Sequence, residues 1–254
     1  MSLTTIHLLS RNDSSGNAQS EYDAATAETI TRYSPVILDE DFNGPGHTTI
    51  PTQGSPAAGY AWVQRIVGAA PPTAAVVANY PGGLIRLALA ATSEAEEADL
   101  YANDMLNWDM TKSLTFECLV ANHVLPSVAA VEFVFGMQSA WVSGPDNASF
   151  YAQFQQSGSG VVNMRTKDGV QTLSASTGVT MVVDTFHSFR IDATDPTNVR
   201  FFVDGVETST KGQFSFAATG ANAILQPYFS VYKASGTGVG TLDINSVQIG
   251  MNRS

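Results

Sequence analysis

Along most of the chain apolar residues alternate with polar ones at a period of two. Leu114, Phe116, Cys118 and Val120 fall on one face of the run 113–120, and Val131, Phe133, Phe135 and Met137 repeat the pattern, as do Phe150, Ala152 and Phe154. A period of two places successive side chains on opposite faces of an extended backbone, so each run predicts a strand with one face in a core. Near the end of the chain Leu225, Phe229 and Val231 share a face while Tyr228 and Tyr232 take the other. Further strands are predicted over 36–42, 60–67, 84–90, 161–166, 170–174, 187–193 and 199–204.

Turn chemistry joins these runs into hairpins. Asp204-Gly205 and Asp168-Gly169 each stand between strand-like runs, and Asp-Gly suits the positive φ angles of two-residue hairpin turns. Leu242 and Ile244 differ in parity from Val247 and Ile249, so a bulge near Asn245-Ser246 is needed to turn all of them inward. Many short strands at this spacing predict an all-β fold, a jelly-roll sandwich of two antiparallel sheets over residues 36–254.

Two segments break the pattern. Residues 1–35 are polar and turn-rich and read as an extended N-terminal arm, with Ile6, Leu8 and Leu9 as apolar anchors for a neighbouring subunit or capsid surface. The stretch 93–105 has helix-friendly residues and a Ser able to cap a helix start. Six acidic residues and no basic one lie between Leu87 and Thr111. The segment 94–109 therefore reads as a solvated loop or helical turn, with cation binding or a basic patch on a neighbour as the alternative.

Composition then removes whole classes of function. The 254 residues are 44% hydrophobic and 14% charged, which fits a folded domain, and the formal net charge of −11 argues against binding nucleic acid phosphates. Apolar stretches stop far short of the roughly 20 residues a membrane-spanning helix needs. The N-terminus has neither the basic start nor the apolar run of a signal peptide, so export by that route is not expected. Cys118 is the single cysteine, which leaves no intrachain disulfide.

Four segments taken together resemble the concanavalin A-like lectin/glucanase superfamily: 36–44 (VILDEDFNG), 187–192 (HSFRID), 198–206 (NVRFFVDGV) and 242–249 (LDINSVQI). The resemblance covers about residues 36 to 250 and implies a jelly roll whose last strand returns beside its first. Fold alone does not fix chemistry. Family 16 glycoside hydrolases of this superfamily carry Glu-x-Asp-x-Glu or Glu-x-Asp-x-x-Glu on one strand, and retaining glycosidases need two carboxylates about 5–5.5 Å apart. The comparable strand here, 131–138, offers Glu132 alone, with Val134, Gly136 and Gln138 on the same face. Glu94, Glu96 and Glu97 are close in sequence, but their segment lacks a strand pattern. No catalytic residue is assigned and the chain is expected not to be an enzyme.

Other chemistry is equally sparse. His7, His47, His123 and His187 have no metal-ligand spacing, Cys118 falls on an apolar strand face, and neither a metal nor another cofactor is expected. Trp141, Asp146 and Asn147 lie in one aromatic and polar loop and are the candidate glycan-binding residues. An acidic, cysteine-poor sandwich with an arm looks like a bacteriophage virion structural protein. The expectation is a capsid decoration or cement protein on the virion surface, made in the host cytoplasm. It would bind the major capsid protein and itself as a homotrimer or other homo-oligomer. The alternative is a carbohydrate-binding module or phage adhesin recognising host-surface glycans.

Overall fold

The alternating runs pair into two antiparallel sheets laid face to face. The structure, a computed structural model, describes residues 36–43, 49–54, 62–158 and 160–252. In chain order the strands are β1 (Val36–Glu40), β2 (Val63–Val67), β3 (Thr73–Val76), β4 (Ile85–Ala88), β5 (Glu96–Tyr101), β6 (Trp108–Asp109), β7 (Leu114–Val124) and β8 (Val131–Gln138). They continue as β9 (Tyr151–Ser157), β10 (Val161–Lys167), β11 (Thr172–Thr180), β12 (His187–Ala193), β13 (Arg200–Val203), β14 (Val206–Glu207), β15 (Ile224–Lys233) and β16 (Thr241–Met251). The first sheet runs β14-β13-β12-β7-β16-β4-β3, and the second β11-β10-β9-β8-β15-β5-β2. β1 and β4 lie end to end along β16, and β6 and β5 do the same along β15. The last strand thus returns beside the first.

The core is what the alternation specifies. Phe116, Cys118 and Val120 of β7 face Phe133, Phe135 and Met137 of β8, and all are buried. Phe135 and Phe154 from the second sheet meet Phe189 from the first at centroid separations of 4.8 and 4.9 Å, and Phe154 meets Phe201 edge-on at 5.2 Å. Burying each such ring contributes about 1.5–3 kcal/mol, before the gain from edge-to-face geometry. In β16 the pairing with β7 shifts between Ile244 and Ser246, the bulge that keeps Leu242, Ile244, Val247 and Ile249 all inside. At the tip of β13 and β14, Asp204 (φ 51°) and Gly205 (φ 76°) make the two-residue turn expected from their sequence.

Three sequence expectations change. Asp168-Gly169 opens a four-residue rather than a two-residue loop, because Lys167 pairs with Thr172 and the Asp168 carboxylate accepts the amides of Val170, Gln171 and Ala217. The helix-friendly segment is strand β5, buried at every position. The acidic stretch is therefore no solvated surface loop through residues 96–101. β3 adds an unpredicted edge to the first sheet. At the far edge of the second sheet, β11 alternates exposed and half-buried residues, and its exposed set is Thr172, Ser174, Ser176, Gly178 and Thr180. Gly178 has φ 76°, opposite a register shift between Val161 and Asn163. The arm residues Ile6, Leu8 and Leu9 lie outside the described residues.

Candidate functional site

Every strand of the second sheet has an outward face, and here that face is neither solvated nor simply charged. Pairing lines up its side chains across the strands. One row runs Val63, Tyr101, Tyr228, Gly136, Gln153, Arg165; the next runs Arg65, Asp99, Ser230, Val134, Gln155, Asn163; a third runs Val67, Glu97, Tyr232, Glu132. Glu97, Asp99, Tyr101, Tyr228, Gln138 and Gln153 are buried although they point away from the core. Gly136 leaves the middle of the face flat, and its φ of 151° with a Cβ site 2.6 Å from the Ala152 carbonyl oxygen means that a larger residue would force the β8–β9 pairing to shift.

The acid pair sits at the centre of the β5 side. The Tyr228 hydroxyl lies 2.9 Å from Asp99 Oδ1 and 3.4 Å from Glu97 Oε1, so one phenol bridges both carboxylates. Burial pushes the Glu97 carboxyl up to about 8, helped by the charge of Asp99. Burial likewise raises Asp99 to about 7, against the pull of hydrogen bonds from Trp141 and Tyr228 and the charge of Arg65. Burial and the two acids hold the Tyr228 phenol well above its ordinary value, so it keeps its proton as a donor.

What covers this face is the β8–β9 connection, residues 139–150. Trp141 donates its backbone N–H to Asp104 Oδ1 and its indole Nε1–H to Asp99 Oδ2, each at 2.7 Å, while the Arg65 guanidinium lies 3.1 Å from its ring centroid. The Ser143 hydroxyl (3.4 Å) and the Gly144 N–H (3.2 Å) both reach Glu97 Oε2. Asp146 pairs with Arg165 and accepts from Gln155 Nε2 at 3.1 and 3.2 Å. Asn147 Nδ2 donates to the Ser143 carbonyl at 2.7 Å. The residues expected to meet glycan, Trp141, Asp146 and Asn147, are thus together in one loop, and each holds that loop to the sheet or to itself.

Sequence reasoning missed Glu97, Asp99, Arg65, Tyr228, Gln138 and Gln153. A signal for the first two existed in Glu97-Ala98-Asp99-Leu100-Tyr101, where polar residues alternate with Ala and Leu. Glu96 hid it by putting a charge on the inward parity. Glu96 and Lys233 form a fully buried ion pair at 3.4 Å, and Lys233 Nζ also donates to the carbonyls of Ala90 and Thr92.

Elsewhere, His123, Asp184 and Asp243 bring potential metal-ligand atoms within 4.8 Å of one another. Arg86 already makes two 2.7 Å hydrogen bonds to Asp243, and His123 Nδ1 lies 2.7 Å from Asp184 Oδ1, so the ligand atoms are already engaged by one another and by Arg86. Two depressions of about 310 Å³ lie along β16 on the first sheet, one of them beside Asp39 and Glu117.

No family model matches the chain, and no curated protein matches it in sequence. Solved structures do match. A protein of unknown function from Shewanella oneidensis MR-1 superposes with a TM-score of 0.59 at 10% identity, covering 89% of each chain. The β-glucanase of Bacillus licheniformis gives 0.52 at 13% identity, over 85% of this chain and 98% of the glucanase. The carbohydrate recognition domain of Emp47p gives 0.52 at 13% identity, over 82% of this chain and 96% of that domain. The fold is a concanavalin A-like jelly roll. At these identities the likeness is one of fold, and within it the jelly roll's outer sheet face carries the buried acids. The expectation of a chain that is not an enzyme is overturned. It rested on the absence of paired carboxylates, yet Glu97 and Asp99 are such a pair, in a fold shared with a glucanase. The capsid-decoration expectation draws no support from these neighbours.

Proposed function

We propose that this jelly roll is a carbohydrate-recognition domain that takes a neutral polysaccharide chain across the outer face of its second sheet. The observation that carries the reading is the composition of that face: tyrosines, amides and a protonatable acid pair, buried on the side of a sheet that points away from the core. Both polar atoms of Gln138 and of Gln153 are buried there without a hydrogen-bond partner. Sugar hydroxyls, which donate and accept, suit such amides, and aromatic rings suit the apolar faces of pyranose rings. Neutrality of the ligand follows from charge. With Glu97 and Asp99 holding their protons, Glu132, Asp104 and Asp146 balance Arg65, Arg165 and Lys167 on this face, and Arg65 and Arg165 are already engaged by the connecting loop.

Titration with laminarin and mixed-linkage β-glucan tests the reading. Wild type is expected to bind saturably, and Gln153→Ala and Tyr228→Phe to weaken binding about tenfold, in line with the loss of one or two hydrogen bonds. Absence of saturable binding to a broad glycan array counts against it. A second reading, cleavage of the bound chain, is favoured by the bridging of Glu97 and Asp99 through Tyr228. A proton held on Glu97 near neutral pH is what a general acid needs. Release of reducing ends that disappears in Glu97→Gln supports cleavage; binding without release restricts the protein to recognition.

A further inference from the structure

The connection 139–150 makes to this face the kind of contacts a ligand would make. Its anchors lie on β5 at one side (Glu97, Asp99) and on β9 and β10 at the other (Gln155, Arg165), so the segment between them crosses β15 and β8. The hold is largely polar. Ser143, Asn147 and Ser149 are exposed and Trp141 and Val142 half-buried; the apolar part is limited to the small Pro145 and Ala148, the Trp141 ring against Val63, Tyr101, Val134 and Tyr228, and Phe150 at the loop's end. Closure also leaves Gln138 and Gln153 buried without partners, a deficit that a hydroxyl-rich ligand would relieve.

We infer that residues 139–150 are an autoinhibitory strap: in the resting protein they occupy the sugar-binding face and tie up Glu97 and Asp99, and they lift when a neutral glycan takes over their hydrogen bonds. The identity of that ligand rests on the carbohydrate reading above; the strap's opening does not. Gly144 is the sensitive point. It has φ 76°, and a Cβ there would lie 3.0 Å from Asn147 Nδ2 and 3.4 Å from the Tyr232 ring and its hydroxyl. Gly144→Val therefore disfavours the closed strap without altering the sheet. Asp146→Ala removes the outer anchor by an independent route.

Hydrogen exchange on the ligand-free full chain reads the opening directly. The amides of Trp141, Gly144 and Asn147 are expected to exchange at least about tenfold faster than those of β8 and β9, and faster again in both variants with the sheet unchanged. Strap amides that exchange only in step with β8 and β9 overturn the inference. Titration of the same three proteins with laminarin and mixed-linkage β-glucan reads the inhibition. Both variants should bind about tenfold tighter than wild type, the gain from removing a closed, incompetent population. Equal affinity in all three overturns the strap's inhibitory role and leaves the carbohydrate reading standing. Fast strap exchange with no glycan bound by any of them overturns the carbohydrate reading, and with it glycan as the trigger, while the opening itself stands.

Discussion

Glu97 and Asp99 hold their protons to about pH 8 and pH 7, where an unfolded chain releases them near pH 4. Between those limits the native state binds more protons than the unfolded state, so the pair's contribution is fully present below the ordinary carboxylate range and is lost as pH rises toward 8. The slope is about 1.4 kcal/mol per pH unit for each extra proton held. Denaturant unfolding followed from pH 5 to 8 should show this fall, and Glu97→Gln should flatten it. Identical pH profiles in the two proteins would falsify the assignment. The facing groups that set the balance are Arg65 of β2 and Ser230 and Tyr228 of β15, with Trp141, Ser143 and Gly144 of the loop. At the same scale, Cys118 is buried and its thiol is pushed well above its usual range, so a thiol reagent should label it only as fast as the protein unfolds. Rapid labelling of native protein would show that the sandwich opens there.

At the level of elements, β7 and β8 were legible because their inward positions from Leu114 to Val120 and from Val131 to Met137 are apolar, and the bulge in β16 was legible because its apolar residues change parity. β5 was not. Its inward side begins with Glu96, whose charge is tolerable only because Lys233 meets it from β15, a partner that local pattern cannot show. Helix propensity, worth tenths of a kcal/mol per residue, then pointed the wrong way and was overridden by pairing on both sides with β15 and β2. The acid pair vanished from view with the strand that carries it. Two substitutions probe this account. Lys233→Ala should lower stability by about 3–5 kcal/mol, because it strands a buried carboxylate, and Lys233→Ala with Glu96→Ala should recover part of that loss. Gly136→Ala should cost roughly 1–3 kcal/mol, since its Cβ would collide with β9. Urea midpoints for these variants give both numbers.

Taken whole, the molecule joins two sheets through one aromatic core, and no disulfide lies within or between them. Its thermal midpoint should be the same with and without reductant. The fold class could be read from alternation and turns alone, whereas the chemistry depends on where one loop lies over one face. Loop 139–150 gave its aromatic and polar residues to sequence reasoning but not their partners, which come from β2, β5, β9 and β10. One last consequence concerns the sheet margins. Two open sheets end in strands whose backbone groups could recruit another chain, and β11 is the longest of these. Its exposed side is threonine, serine and glycine, and the kink at Gly178 breaks its register. The kink interrupts the edge where strand addition would be easiest, which disfavours edge-to-edge pairing with further copies.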